Sequence, residues 1–215
     1  MGRATELTRP ARMKLMVEPS SSRGRATRER IIAAAADLIH VHGVHGTSID
    51  RVLTAAGAGK GQFYHFFAGK RALVAEVLRL QWERIRVLQE AALQDAHGWA
   101  AVEAWFDAIY RIHAVNGFAG GCPIGSIAAE MADDDDAVRR QAAMIFGSQR
   151  DSLLDALLAL QAAGELPRQT DLVAAADFAI AAIQGGLLLA ATQQDGNPLR
   201  HALQHTLTHL RNLAL

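Results

Sequence analysis

The sequence predicts an all-α protein. Alanine, leucine, glutamine and arginine dominate most of its length, and all four have high helix propensity. Apolar side chains recur at the i, i+3, i+4 spacing of an amphipathic helix, whereas the period-two alternation typical of strands is missing. Hydrophobic residues make up 50% and charged residues 20% of the 215 residues, as in an ordinary globular protein. We therefore expect a three-helix helix-turn-helix unit followed by a larger helical bundle.

The first 24 residues have no apolar periodicity. They are rich in arginine and lysine and contain two prolines and a run of three serines. This composition predicts a flexible basic arm over 1–24. Met13 and Met16 are alternative translation starts, so the length of the arm stays open.

Four helices are predicted over the region 25–85 and just beyond it. The first begins near Thr27 and ends at Gly43, which is suited to a C-terminal cap. Thr47 is the expected N-cap of the second helix, with Asp50 three residues later as in a capping box. Glycines at 57 and 59 end that helix after about two turns, so the helix-turn-helix spans 48–67. The third and fourth helices are expected at 60–66 and 70–93.

The remaining region, 86–215, predicts longer helices. The capping signals are Thr170 or Asp171 for one helix start and the pair Asn197-Pro198 for another. Gly164 and Pro167 mark a helix end. The expected helices are 98–116, 124–132, 136–163, 171–192 and 198–213.

The charge is distributed unevenly along the chain. Its formal net charge is zero. Residues 1–80 nevertheless hold 13 basic and 6 acidic residues, a balance of +7, and residues 81–215 hold 9 basic and 16 acidic residues, a balance of −7. This asymmetry predicts that the N-terminal part meets a polyanion and that the C-terminal part does not.

The predicted third helix carries side chains suited to double-stranded DNA. Lys60 in its first turn can reach a phosphate or a guanine edge, and Gly61 lets the backbone approach a groove closely. Gln62 is suited to a bidentate contact with adenine. Tyr64 and His65 can donate to phosphates, although both are also common surface residues.

The segment from Thr47 to Leu73 resembles the DNA-binding domain of the TetR/AcrR family of transcriptional regulators. The pattern Gly-x-x-Lys-Gly-x-Phe-Tyr-x-x-Phe-x-x-Lys-x-x-Leu begins at Gly57 and ends at Leu73, within a match over about 25–85. The resemblance implies an all-helical homodimer that binds a palindromic operator and releases it when a small molecule enters the C-terminal domain. The family's usual DNA contacts then fall on Thr47, Ser48, Lys60, Gly61, Gln62, Tyr64, His65 and Lys70.

The sequence departs from the family pattern at three positions. Gly59 and Gly69 stand where serine is common, and Phe66 stands where tyrosine or histidine is frequent. These departures put some phosphate contacts in doubt. Arg23, Arg25 and the nearby Arg28 are either solvated charges or groups that enter a minor groove or bind a phosphate.

The segment from Phe178 to Ala191 is apolar on nearly every face, with small residues that permit close helix approach. A helix of this kind is buried on all sides, which predicts a partner subunit as cover. The resemblance implies that the last two long helices form the dimer interface, with operator half-sites about 34–36 Å apart or a multiple of that spacing.

Aromatic and soft apolar side chains between 99 and 146 have the composition of a hydrophobic ligand site, although each alone is more typical of core packing. We expect a small hydrophobic or aromatic effector with one or two polar groups. The candidate lining residues are Trp105, Phe106, Ile109, Tyr110, His113, Phe118, Cys122, Met144, Gln149 and Gln184.

Cys122 is the one cysteine of the chain. It is either a small buried hydrophobe or a thiol that senses electrophiles or oxidants, which would need a lowered pKa. The acidic run 133–136 fits a helix N-terminus better than a metal loop. The sequence therefore predicts neither a metal nor a cofactor.

Enzymes and non-specific DNA binders are the rival classes. The sequence contains no nucleophile elbow, phosphate loop or dinucleotide fingerprint, and the acidic C-terminal part argues against an architectural DNA binder. The longest stretch without charged residues or histidine has 17 residues, fewer than a bilayer span needs. We expect a cytoplasmic regulator that represses transcription, and activation of transcription is the alternative.

Overall fold

The computed structural model describes residues 21–93 and 96–214. It confirms the all-α prediction, since the described residues form nine helices joined by short turns. Their bounds are α1 Ser22–His42, α2 Ile49–Ala56, α3 Lys60–Phe66, α4 Lys70–Leu93, α5 Trp99–Ala114, α6 Pro123–Met131, α7 Asp136–Ala162, α8 Leu172–Gln193 and α9 Asn197–Asn212. Most of the predicted basic arm lies outside the described residues.

Helix α1 begins earlier than the sequence predicts. It starts at Ser22 and not near Thr27, because the hydroxyl of Ser21 accepts the backbone N–H of Gly24 and supplies an N-cap. Thr27 lies inside the helix, where its hydroxyl donates to the carbonyl of Arg23. The predicted end is correct, since Gly43 adopts a φ of 71° directly after His42.

The start of α2 also differs by one residue. Ser48, and not Thr47, is the N-cap, and its hydroxyl accepts the N–H of Arg51. Thr47 is buried, and its hydroxyl donates to the carbonyl of Gly43 at 2.8 Å. Gly57 ends α2 in the left-handed conformation, as the sequence predicts.

Helices α1, α2 and α3 enclose a small core that fixes the helix-turn-helix. Val52 and Leu53 from α2 lie in this core with the rings of Phe63 and Phe67, whose centroids are 5.3 Å apart. The ring of Phe66, at a position where the family often has tyrosine or histidine, is buried as well. Because consecutive aromatic positions face inward, the opposite face of α3 points to solvent.

Helix α4 connects this unit to the C-terminal bundle. It packs against α1 on one side and against α5, α6 and α7 on the other. Arg28 of α1 forms a 2.8 Å ion pair with Glu76 of α4, and both side chains are only 12% exposed. The pair therefore holds α1 against α4 in a partly dry environment.

Two of the C-terminal helices, α7 and α8, begin at aspartate caps. Asp135 accepts the N–H groups of Ala137 and Val138 at the start of α7, as expected for the acidic run. Asp171 caps α8. For α9 the N-cap is Gly196, so Asn197 is already the first helical residue, one position earlier than predicted.

Helix α8 is 22 residues long and, by length and composition alone, apolar enough to cross a bilayer. It is longer than the uncharged stretch considered in the sequence, because its first two turns include Asp177. One face packs against α7 and α9. Gly186 lies on that face, where an added Cβ would be 3.0 Å from the Cα of Leu199.

Candidate nucleic-acid interface and neighbouring cavities

The outer face of α3 presents an uninterrupted polar surface. Lys60, Gly61, Gln62, Tyr64 and His65 are all exposed on this seven-residue helix. Nothing in the described chain lies within 4 Å of a Cβ added at Gly61, so its backbone can be approached closely. The five residues that the sequence predicts for this helix are therefore presented together.

Two of these side chains already have partners within the chain. The ammonium group of Lys60 lies 2.9 Å from the carboxylate of Asp50 on α2, and this hydrogen bond raises the pKa of Lys60. Gln62 accepts the N–H of Gly59 through Oε1 at 2.9 Å. This bond holds the start of α3 in place and leaves the Nε2 donors of Gln62 for other acceptors.

The remaining predicted DNA contacts flank α3. Ser48 is exposed at the start of α2, and Lys70 is half-buried at the start of α4. The Thr47 side chain is not accessible, because it is buried and bonded to Gly43. A phosphate could meet Thr47 only through a rearranged loop, so the Thr47 contact stays a prediction.

Of the three departures from the family pattern, only Phe66 has a clear structural role, since the structure would accept a side chain at Gly59 and at Gly69. Gly59 is the N-cap of α3 with φ −91°, a conformation open to any residue. Gly69 has nothing within 4 Å of an added Cβ. Phe66 is buried, so an inward aromatic ring occupies the position where the family pattern often has a polar one.

The three arginines of α1 that the sequence predicts as possible DNA contacts have different environments. Arg28 is held by Glu76 and lies 5.6 Å from the centroid of the Phe67 ring, so it stabilises the fold. Arg23 and Arg25 are exposed near the helix start. A minor-groove or phosphate contact from these two stays a prediction.

A carboxylate of the C-terminal bundle contacts the helix-turn-helix directly. Glu130 of α6 accepts the backbone N–H groups of Val44 and His45, at 2.8 and 2.9 Å. Both residues lie in the turn that leads into α2. The sequence offers no signal for this contact, because Glu130 is an isolated glutamate 85 or 86 residues away along the chain.

A second contact between the same two parts involves His40 at the end of α1. Its Nε2 lies 3.1 Å from Nδ2 of Asn116, in the turn after α5. A Cβ added at Gly120 would come within 2.4 Å of the His40 ring, so glycine is required for this close approach. The α5–α6 turn is thus fitted against α1.

The predicted effector-pocket residues do not form one cavity in the described residues. Phe106 and Tyr110 line a cavity of about 400 Å³ between α5 and α9, with Arg200, Leu203 and Leu207. His113 lines a different cavity, also of about 400 Å³, where α1, α4 and α5 meet. Trp105, Ile109, Cys122 and Gln149 are buried in the core.

Three further members of the predicted set lie elsewhere. Met144 is 67% exposed on α7, because the adjacent Ile145 takes the inward position, and its part in an effector site stays a prediction. The ring of Phe118 packs near Tyr110, with centroids 5.4 Å apart. Gln184 of α8 is half-buried and hydrogen-bonds the thiol of Cys122.

Cys122 caps the start of α6. Its Sγ accepts the N–H of Gly125 at 3.3 Å, and burial raises the pKa of the thiol. A sensor thiol needs a lowered pKa and solvent access. The geometry therefore favours the structural interpretation of Cys122 over the sensing one.

Comparison with known proteins agrees with this arrangement. Residues 31–77 match the model for "Bacterial regulatory proteins, tetR family", and residues 99–205 match that for "Transcriptional regulator LmrA/YxaF-like, C-terminal domain". An HTH-type transcriptional regulator of Lactococcus lactis subsp. lactis is 33% identical over 178 residues, which cover 81% of this chain and 88% of that protein.

Two other relatives are informative. The HTH-type transcriptional repressor DhaR of Mycobacterium sp. (strain GP1) is 26% identical over 174 residues, covering 80% of this chain and 86% of that one. The crystal structure of a TetR transcriptional regulator from Chloroflexus aurantiacus superposes with a TM-score of 0.78 at 27% identity, covering 88% of this chain and 96% of that one. The chain belongs to the TetR family of DNA-binding transcriptional regulators and is not an enzyme.

Proposed function

We propose that this protein is a cytoplasmic repressor that binds a palindromic operator as a homodimer and is released by a small hydrophobic effector. The observation that carries this proposal is the exposed polar face of α3, which presents Lys60, Gly61 and Gln62 beside one another. In this assignment the DNA-binding domain is 25–85 and the effector-binding and dimerisation domain is 86–215. Thr47, Ser48, Tyr64, His65 and Lys70 complete the proposed DNA contacts.

An exposed apolar stripe on α8 supports the homodimer. Phe178, Leu188 and Leu189 are each about half or more exposed, and they follow the helical spacing of one face with Ala181 and Gly185. Phe178 also contacts the ring of His209 on α9, so the stripe continues onto the neighbouring helix. A second copy of the same surface would bury these side chains and give the two-fold symmetry of a palindrome.

Unpartnered polar groups in the C-terminal core support an effector with polar groups. Among the described residues, the indole Nε1 of Trp105 is buried without a hydrogen-bond partner. The Nε2 of Gln89 on α4 is likewise buried without a partner among the described residues. Buried polar groups are normally satisfied, so these two are suited to a bound molecule that carries hydrogen-bond acceptors.

Repression by steric occlusion of a promoter follows from this arrangement. An effector that binds better to a conformation with wrongly spaced α3 helices shifts the protein away from the operator. The contacts of Glu130 and His40 give the C-terminal bundle a direct mechanical connection to the helix-turn-helix. The repressor named among the relatives is consistent with this direction of control.

Selection of bound DNA from a random pool tests the proposal. We expect one palindrome to be enriched and bound at least ~10³-fold more tightly than random DNA. Compounds that abolish binding to that palindrome then define the effector, and transcription from a promoter carrying it gives the direction of control. Affinity independent of sequence, or transcription that rises when the protein binds, would contradict the proposal.

A further inference from the structure

One cavity of about 400 Å³ lies where the two parts of the chain meet. Its walls come from α1, α4, α5 with the turn after it, and the first residue of α6. It is separate from the cavity between α5 and α9, with which it shares no lining residue. A molecule in this junction cavity would touch α1 of the helix-turn-helix and the C-terminal bundle at once.

Two buried polar side chains face this junction cavity without a partner. Gln81 of α4 is 9% exposed and His113 of α5 is 8% exposed, and both line the cavity. Neither side chain hydrogen-bonds another residue in the part of the chain that the structure describes. Both side chains line the cavity wall, so their polar groups are open to a molecule in the cavity that carries hydrogen-bonding groups.

The protonation state of His113 determines which hydrogen-bonding groups the bound molecule needs. Burial, together with the nearby His40, lowers the pKa of His113 to about 4. The ring is therefore neutral at pH 7 and has one N–H donor and one acceptor nitrogen. The Gln81 amide likewise supplies both donors and an acceptor, so the matching molecule has a donor and an acceptor on one edge.

The rest of the junction cavity wall combines aliphatic side chains, an ion pair, and the side chains of His40 and Asn116, which hydrogen-bond to each other. Ile85, Leu88 and Ile112 line it with aliphatic surface. The charged lining residues are Asp37 and Arg84, which form an exposed ion pair with each other at 3.6 Å. A charged ligand would lose hydration in this cavity, and the two opposite charges of this ion pair already neutralise each other. Binding of an ion is therefore disfavoured.

We propose that the junction cavity binds an uncharged small molecule that has an apolar body and one edge with both a hydrogen-bond donor and an acceptor, such as a primary carboxamide. Gln81 and His113 hold the polar edge, and Ile85, Leu88 and Ile112 contact the apolar body. The inference deepens the proposed function and rests on it, because His113 is also one of the residues that the sequence predicts for the effector site. Direct binding measured without DNA tests this site separately from the release of an operator.

Benzamide is a suitable probe, since it pairs an aromatic ring with a primary carboxamide. The measurement is NMR titration of the full-length protein with ¹⁵N-labelled histidine, with His113 assigned through its backbone. We expect saturable shifts of the His113 ring signals in the millimolar range. Toluene, which lacks the polar edge, and benzoate, which is charged, are expected to bind at least tenfold more weakly.

Substitutions at the polar wall give the second readout. Gln81→Leu and His113→Phe, which keep side-chain size, should each weaken benzamide binding about tenfold, as expected for the loss of one hydrogen bond in a buried site. Gln204→Leu is the matched control, because Gln204 lines the other cavity. The inference is overturned if benzamide leaves the His113 signals of the unaltered protein unchanged, if benzoate binds more tightly, or if only Gln204→Leu weakens binding. If a substituted protein does not fold, the titration of the unaltered protein with the three probes still decides.

Discussion

The carboxylate of Glu130 on α6 accepts the backbone N–H of Val44 at 2.8 Å, in the turn between α1 and α2. The same carboxylate accepts the N–H of His45 at 2.9 Å. Val44 is buried and Glu130 is half-buried, so the contact is partly shielded from water. Movement of α6 therefore acts directly on the turn that precedes the first DNA-facing residues.

Glu130→Gln should destabilise the protein. The amide oxygen can accept one N–H, but the second is left facing an NH₂ group and the charge-assisted character is lost. We expect a loss of about 1–3 kcal/mol in the free energy of unfolding, measured by urea denaturation. Asp133→Asn is the control, because Asp133 is an exposed carboxylate in the turn after α6. Equal effects of the two substitutions would contradict the prediction.

Gly43→Ala should show energetic coupling to Glu130. Gly43 has φ 71°, and an added Cβ would lie 2.6 Å from Oε1 of Glu130, so alanine is strained and also displaces the carboxylate. We expect Gly43→Ala to cost more in the unaltered protein than in the Glu130→Ala background, by at least about 0.5 kcal/mol. A double-mutant cycle of unfolding free energies measures this difference. Strict additivity would show that the two residues do not interact.

The contact between Glu130 and the α1–α2 turn also illustrates what the sequence does not predict. Helices α3 and α4 have the predicted bounds, because propensity, glycine breaks and apolar spacing all act locally. No residue pattern predicts that a carboxylate will accept the backbone N–H groups of a distant turn, because nearly every residue carries a backbone N–H group. The sequence also does not predict that Gln81 and His113 line the same cavity, because their juxtaposition depends on how α4 packs against α5.

The residues predicted for the effector site also show what the sequence does not predict. Composition indicates which side chains are apolar, but the helical phase decides which of them face inward. Ile145 is buried and the adjacent Met144 is exposed, although both are apolar. The N-caps of α2 and α9 differ from the predicted ones by one residue. For α2 the cause is tertiary packing: Thr47 and Ser48 both carry hydroxyls, and burial of Thr47 leaves Ser48 as the cap.

Lys60 and Asp50 should have opposite effects on operator binding. Lys60→Ala removes one cation per subunit from the DNA-facing surface and should weaken operator binding about tenfold. Because the homodimer has two such side chains, the slope of log K against log salt should fall by about 1.8. Asp50→Asn frees the ammonium group from its ion pair and removes a negative charge near the phosphates, so it should tighten binding. Fluorescence anisotropy at several salt concentrations measures both effects.

The control for these charges is Asp155→Asn, which removes an exposed carboxylate from α7 in the C-terminal bundle. It should leave the affinity for the operator nearly unchanged. If Asp50→Asn weakens binding, or if Asp155→Asn tightens it equally, the ion pair with Lys60 does not limit contact with DNA.

His113 should make stability fall as the pH is lowered. Its pKa is about 4 in the folded protein, below the ordinary value of 6.5. Between pH 6.5 and 4 the unfolded chain takes up a proton that folded His113 does not, so the stability present above pH 6.5 is lost progressively over this window. The loss is roughly 2–3 kcal/mol. Urea denaturation of the unaltered protein and of His113→Phe at pH 7 and pH 4.5 measures it. We expect a smaller change with pH for the variant, and parallel pH dependences would refute the prediction.

Leu188→Arg should disrupt the proposed homodimer. Leu188 is 67% exposed in the middle of the apolar stripe on α8, so arginine is compatible with the isolated chain but would bring two guanidinium groups into a two-fold interface. We expect a monomer by sedimentation at micromolar concentration, with operator affinity reduced at least tenfold because the two half-sites are no longer bound together. Met144→Arg is the matched control, since Met144 is equally exposed but lies on α7. A dimer that survives Leu188→Arg and dissociates with Met144→Arg would move the interface away from α8, and a monomeric unaltered protein would exclude the homodimer altogether.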